Sequence, residues 1–322
     1  MRRSFTLSFG LATLLLVAAC SASGGASPSA SVAAPSVAPS VAPSVAVSAA
    51  PSVAPSASAA LSDCATNAVV TPGKFTIGTD NPAYPPYFAT PEASAKPKAP
   101  WQLGDPTNGN GFEAAVGYAI ADKLGFTKDA VTWIVVPFNN SFAPGPKTFD
   151  IDLNQVNYKP ARTQTADLSK GYYFGNQSAV VLKGSKYATA TSVADLKDAQ
   201  WGAQVGTTSL DAINTVIAPT KKPVIYDTND LAVEALGKKT IDAIMVDLPT
   251  ADYITNVQVQ NAVIAGQFQG GTPEYFSAVL QKGSKLTDCV NQAIDALTAD
   301  GTLDKLVKDW LPFQASVPII KP

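Results

Sequence analysis

The sequence predicts an α/β protein of two lobes carried on a long unstructured tether. Three observations predict this. Segments with strand-like and helix-like patterning alternate from Lys74 to Trp310. The folded portion, about 250 residues, is longer than one small core usually needs. Ahead of it, residues 21 to about 60 are almost entirely Ala, Ser, Pro and Val, with no charge and no large apolar side chain until Leu61. Such a segment cannot bury enough surface to offset its chain entropy.

The chain opens with Met1-Arg2-Arg3 and an apolar run from Phe5 to Ala19. That run is short of the ~20 residues a membrane-spanning helix needs, and it reads as an export signal over residues 1–19. Its last residues, Leu16-Val17-Ala18-Ala19-Cys20, resemble the bacterial lipoprotein signal. The resemblance implies cleavage before Cys20, lipidation of its thiol and attachment to the outer face of the cell membrane. The alternative is an ordinary secretory signal with an incidental cysteine. Residues 20–62 then form the tether, whose prolines favour extended conformations reaching up to roughly 100 Å. Setting Cys20 aside leaves Cys64 and Cys289, an even pair that in an exported protein is expected to form a disulfide. With no histidine anywhere, Cys/His zinc sites and Cys–His nucleophiles are excluded. Without Arg2 and Arg3 the chain carries 21 basic and 25 acidic residues, a net of −4, and no basic cluster suited to nucleic acid.

Within the folded part, Lys74–Thr79 alternates and reads as a strand. Phe112–Leu124 sets Phe112, Ala115, Val116, Ala119, Ile120 and Leu124 on one helical stripe, closed by Gly125. Strands come next at Val131–Val136, Asp150–Leu153 and Ala179–Leu182, and again at Trp201–Val205. A helix from Ser209 to about Val216 leads to strand Val224–Tyr226. Helix Leu231–Leu236, capped by Asn229 or Asp230, precedes strand Ile241–Val246. Helix Leu248–Asn256 and strands Val263–Gly266 and Tyr275–Leu280 come after it. The last elements are helices Leu286–Ala299 and Leu303–Trp310, split by Asp300-Gly301. Phe142–Lys147 is a Pro/Gly-rich loop. Alternation of this kind favours mostly parallel, mixed sheets covered on both faces.

Five ordered segments make the pattern specific. They are Gly78-Thr79-Asp80 with Tyr84-Pro85-Pro86-Tyr87; Gly111-Phe112-Glu113 opening a helix that ends Ala121-Asp122-Lys123-Leu124-Gly125; and Phe149-Asp150, Pro160-Ala161-Arg162, Asp167-Leu168-Ser169 and Gly171-Tyr172-Tyr173. After them come Ala194-Asp195-Leu196-Lys197 leading to Val205-Gly206-Thr207-Thr208, and Ile241 to Asp247 with Asp300-Gly301-Thr302. In this order they resemble the bacterial extracellular solute-binding proteins of family 3, the polar amino acid binders of ABC importers, over roughly Gly73 to Leu311. The resemblance implies a periplasmic-binding-protein (Venus flytrap) fold, in which two mixed sheets are joined by two crossing strands. The crossings are expected near Gln177–Leu182 and Glu274–Leu280. Lobe 1 is then 64–176 plus 281–322, and lobe 2 is 179–273. It also implies a monomer without cofactor or metal that hands its ligand to a membrane permease.

Among the candidate binding residues, Arg162 is the one arginine beyond the export signal, against twenty lysines. Guanidinium grips a carboxylate through two parallel hydrogen bonds, which lysine cannot do. By resemblance Arg162 holds the ligand's α-carboxylate, aided by Thr207 and Thr208 at a helix start, and Asp247 pairs with the α-ammonium. Tyr84 packs against the ligand side chain and Asp80 reads its distal end, with Phe138 as a second wall. Bland readings stand beside these: a turn with a threonine cap, an N-cap at Asp247 and core packing for Phe138. The chain departs from the family pattern at Gln155, Asn157 and Lys159, where small residues are usual. The two amides are candidate ligand contacts that also narrow the pocket, and Lys159 is expected to face water, a salt bridge to an acidic ligand being the alternative. An insertion from about Thr90 to Asn110 carries Trp101, a candidate lid residue or mere surface decoration. Two other functions fit the fold: a ligand sensor feeding a membrane receptor, and a dehydratase-like enzyme using Glu113 or Glu274 as the acid.

Overall fold

The computed structural model describes residues 57–92, 95–268 and 274–322. The expected signal, Cys20 and the tether as far as residue 56 lie outside the described residues.

Helix α1 (Ala57–Thr66) begins five residues before the expected end of the tether. The prolines stop at Pro55, and Leu61 and Ala65 supply a buried face. A disulfide between Cys64 and Cys289 ties α1 to α7 (Thr287–Ala299).

The first sheet has the order β2 (Val131–Val135), β1 (Phe75–Thr79), β3 (Ile151–Asp152), β10 (Glu274–Gln281), β4 (Ala166–Gly175). Strand β1 is parallel to β2 and β3, while β10 runs antiparallel to β3 and β4. One face is covered by α2 (Phe112–Lys123), α7 and α8 (Thr302–Trp310); Phe75, Ile77 and Ile151 pack there with Phe112, Ile120, Val290 and Ile294. On another small core, Val156, Ala166 and Val279 pack with Phe138 of the short helix α3 (Phe138–Ser141) and with Phe142. Strand β4 has no counterpart in the sequence reading. Its stretch Asp167-Leu168-Ser169-Lys170 breaks apolar alternation because β4 is an edge strand, where polar side chains are tolerated.

The second sheet has the order β7 (Val224–Tyr226), β6 (Trp201–Gln204), β8 (Ala243–Asp247), β5 (Gln177–Leu182), β9 (Ala262–Phe268). Two cores form on it. Ala179, Val181, Trp201 and Met245 pack with Ile213, and Val180 and Ile244 pack with Leu236 and Ile254. Helix α4 (Thr208–Ala212) widens to a π-helical turn at Ile213–Ile217, and α6 (Leu248–Tyr253) does so at Ile254–Gln258. The third helix of this lobe is α5 (Asn229–Gly237).

The chain crosses between the sheets at Asn176, between β4 and β5, and again between β9 and β10. The crossings thus lie just ahead of the two segments expected to hold them, which are themselves sheet strands: Gln177–Leu182 pairs with β8 and β9 in the second sheet, and Glu274–Leu280 pairs with β4 in the first. The C-terminus also departs from expectation. After α8 a 3-10 turn at Pro312–Ser316 carries the chain back to lobe 2. There Gln267 donates its N–H to Pro318 O (2.8 Å), Ile320 donates to Gln267 O (2.9 Å) and Val193 donates to Lys321 O (2.9 Å). Ile320 is buried in the second lobe's core. Gly266 makes room for it, since a Cβ there would lie 2.5 Å from Ile320. Residues 317–322 therefore sit with lobe 2 rather than lobe 1, because the exposed edge of β9 offers unpaired backbone groups that the tail satisfies.

Candidate functional site

A cavity of about 830 Å³, its mouth included, lies between the lobes. Lobe 1 contributes Asp80 after β1, Tyr84 and Tyr87 from the Pro-rich turn beyond it, Phe138, the loop Asn154–Asn157 after β3, and Arg162. Lobe 2 contributes Thr207 and Thr208 at the start of α4, Asp247 at the end of β8, and Thr250 and Tyr253 of α6. Strand ends and helix starts thus converge from both sheets, the usual place for ligands in open α/β folds.

Arg162 is 4% exposed. Its Nη1 donates to Asn157 O, its Nη2 donates across the cleft to Gly206 O at 2.9 Å, and Nε has no protein partner. The guanidinium lies over the Phe142 ring (4.4 Å) and near that of Phe138 (5.5 Å). Burial lowers its pKa to about 10, with Asp247, Asp211 and Glu274 acting against the shift, so it stays charged at neutral pH.

Asp247 is half-buried. Its Oδ1 accepts from Asn157 Nδ2 (2.8 Å) and Gln177 Nε2 (2.9 Å). Loss of solvent, then the nearby Glu274 charge, pushes its pKa up to about 7. Gln177 Nε2 also donates to Glu274 Oε2 (2.8 Å), and its Oε1 accepts from Ser209 (2.7 Å). Gln177 and Glu274 each stand just past a crossing between the lobes, so Asp247 is backed by the segments that join them.

At the other end, Asp80 accepts from the N–H groups of Asn81 (2.7 Å) and Phe138 (3.2 Å), and burial raises its pKa. The Tyr84 ring meets that of Tyr253 edge-on at 6.0 Å, and its hydroxyl donates across the cleft to Asp230. The Tyr87 hydroxyl lies 3.0 Å from Thr250 Oγ1, a second bridge between lobes.

Of the residues singled out from sequence, Arg162, Asp247, Tyr84, Asp80, Phe138, Gln155, Asn157, Thr207 and Thr208 all line this cavity. Thr207 is also the helix cap of its bland reading, its Oγ1 accepting from Leu210 N–H at 3.1 Å. The departures from the family pattern are occupied by the protein itself. Asn157 Nδ2 bonds Asp247 and Thr208, and Gln155 Nε2 bonds Glu113. Trp101 does not join them. It is 5% exposed and packs into the core of lobe 1, so the insertion is anchored by its indole rather than poised over the cleft. Lys159 does not face water alone; its Nζ pairs with Asp211 of lobe 2 at 2.5 Å. Neither Glu113 nor Glu274 lines the cavity. Tyr87, Thr250, Tyr253 and Gln177 are site residues that sequence reasoning misses. Only Tyr87 carries a signal, as the last residue of the Tyr84-Pro85-Pro86-Tyr87 segment.

A buried cation and a half-buried carboxylate facing one cavity suit a small zwitterion. Comparisons with known proteins give the family. The family model for bacterial extracellular solute-binding proteins, family 3, matches residues 93–313. The arginine-binding extracellular protein ArtP of Bacillus subtilis (strain 168) is 28% identical over 217 residues, 66% of this chain and 81% of that protein. The L-cystine-binding protein TcyJ of Escherichia coli (strain K12) is 28% identical over 165 residues, 51% of this chain and 60% of that protein. Among solved structures, an ancestral arginine-binding protein bound to glutamine superposes with a TM-score of 0.58 at 26% identity, covering 75% of this chain and 99% of that one. The chain belongs to the bacterial extracellular solute-binding proteins, family 3.

Proposed function

We propose that this protein captures a free amino acid outside the cytoplasm and delivers it to the permease of an ABC importer. One observation carries the reading: Arg162 of one lobe and Asp247 of the other face the same cavity. Enclosing an α-amino acid strips water from a carboxylate and an ammonium, and each then needs an opposite charge. Arg162 takes the carboxylate through Nε and its unspent N–H groups, with the Thr207–Thr208 segment opposite. Asp247 takes the ammonium. Asp80, Tyr84 and Phe138 hold the side-chain end, where a half-buried carboxylate favours a basic or amide side chain. The names of the relatives, arginine and cystine binders, support an amino acid ligand.

Capture works by closure. Each open lobe offers half a site, and only the closed form pairs both charges, so ligand shifts the population toward it. No bond is made or broken. Neither of the glutamates weighed as a dehydratase's acid, Glu113 and Glu274, lines the cavity. Acylation of Cys20 would hold the protein at the membrane, the tether giving the lobes reach; a Cys20→Ser variant released to the soluble fraction checks this.

The deciding experiment is a thermal-shift screen of the twenty amino acids with common polyamines and opines. A ligand at 100 times its Kd adds about 2.7 kcal/mol to stability and raises the melting temperature accordingly. No shift with any of them at millimolar concentration would sink the reading.

A further inference from the structure

The acid that opens α2 has a use that ligand contact does not explain. Glu113 is 0% exposed. Its Oε1 accepts the backbone N–H of Gln155 at 2.8 Å and the Tyr172 hydroxyl at 2.5 Å, and its Oε2 accepts the Gln155 side-chain amide. One carboxylate therefore holds both the main chain and the side chain of a single residue on another element. That residue is strained: Gln155 sits at φ 49, in the left-handed region that residues with a Cβ rarely adopt. Such a conformation persists only where the surroundings dictate it.

Beyond this turn the chain forms a wall of the binding cavity. Two residues on, the Asn157 carbonyl accepts from Arg162 Nη1, and its amide spans Asp247 Oδ1 (2.8 Å) and Thr208 Oγ1 (2.9 Å). The path of the chain at Gln155 thus sets where Asn157 stands, and Asn157 touches both charged groups of the site. We infer that Glu113 is a positioning residue for ligand recognition, holding the Gln155 turn so that Asn157 orients Arg162 and Asp247 from a place the ligand never reaches. This rests on the amino acid reading of the cavity.

The test removes the acceptor and then restores it. Glu113→Ala leaves the Gln155 backbone N–H, the Gln155 side-chain amide and the Tyr172 hydroxyl without their shared partner. Glu113→Gln keeps an oxygen for the backbone N–H, and the Gln155 amide can turn over to set its oxygen against the new N–H. Calorimetry with L-arginine, or with the amino acid that gives the largest thermal shift, is expected to show Kd at least tenfold weaker in Glu113→Ala and within threefold of the parent in Glu113→Gln. Hydrogen exchange over residues 153–162 of the ligand-free proteins is expected to show the same order, faster in Glu113→Ala and near the parent in Glu113→Gln. A merely structural role would lower the melting temperature of Glu113→Ala and leave Kd unchanged; that result, or unchanged exchange over this segment in Glu113→Ala, overturns the inference. If the parent protein binds no amino acid, the functional reading fails, and exchange alone then decides whether Glu113 holds the turn.

Discussion

Replacing Arg162 by lysine tests the site most directly. The guanidinium spans the Asn157 and Gly206 carbonyls, one from each lobe, with Nε still to offer to a ligand. A lysine ammonium cannot keep both carbonyls and also present two parallel donors to a carboxylate. Losing one charge-assisted hydrogen bond costs about 1.5–3 kcal/mol. Weaker stacking on Phe142 and Phe138 removes about 0.5–1 kcal/mol more. Together the change weakens ligand binding by about 3 kcal/mol, roughly 150-fold in Kd. The charge is kept, so the fold is expected to survive with a melting temperature only a few degrees lower. Isothermal calorimetry with the best ligand from the thermal-shift screen measures the effect. A variant that binds within about threefold of the parent would refute the carboxylate role and leave Arg162 as an interlobe clamp alone.

Three further outcomes are expected. Asp247 has its pKa raised to about 7, and the ammonium partner needs it ionised, so affinity should fall as pH drops from 8 to 5.5. In Asp247→Asn the affinity is weaker throughout and that pH slope disappears, read by calorimetry at four pH values. Trp101→Ala should destabilise the protein by about 3–5 kcal/mol through the cavity it leaves, with Kd unchanged once the protein is folded; chemical denaturation and calorimetry separate the two. Reducing the Cys64–Cys289 bond releases a loop with a sequence separation of 225 and should cost about 3–5 kcal/mol, seen as a lower melting temperature in reductant and none in a Cys64→Ala/Cys289→Ala variant.

The periodic elements were legible because one physical signal, apolar spacing, governs them. Strands Phe75–Thr79 and Ala243–Asp247 and helix Phe112–Lys123 fall where alternation or a 3.6-residue stripe places them. Edge strand β4 and the C-terminal tail were not legible, because their pairing is long-range and their side chains need not be apolar. At the site, charge was the readable quantity. A lone arginine and an acid closing a buried strand stand out in any sequence, whereas Gln177 enters through a crossing that brings it beneath Asp247. Trp101 shows the converse. A large aromatic in a Pro/Gly/Asn-rich insertion looks free to move, yet nothing in the local sequence reveals that it is the insertion's anchor in the core.

The C-terminal tail changes what counts as a separable part. Lobe 2 cannot be excised as residues 177–268, because the groove beside Gly266 would lose Ile320 and the outer strand would be left as an open template for other chains. Any dissection of this protein has to treat residues 317–322 as an extended segment lent by one half of the molecule to the other.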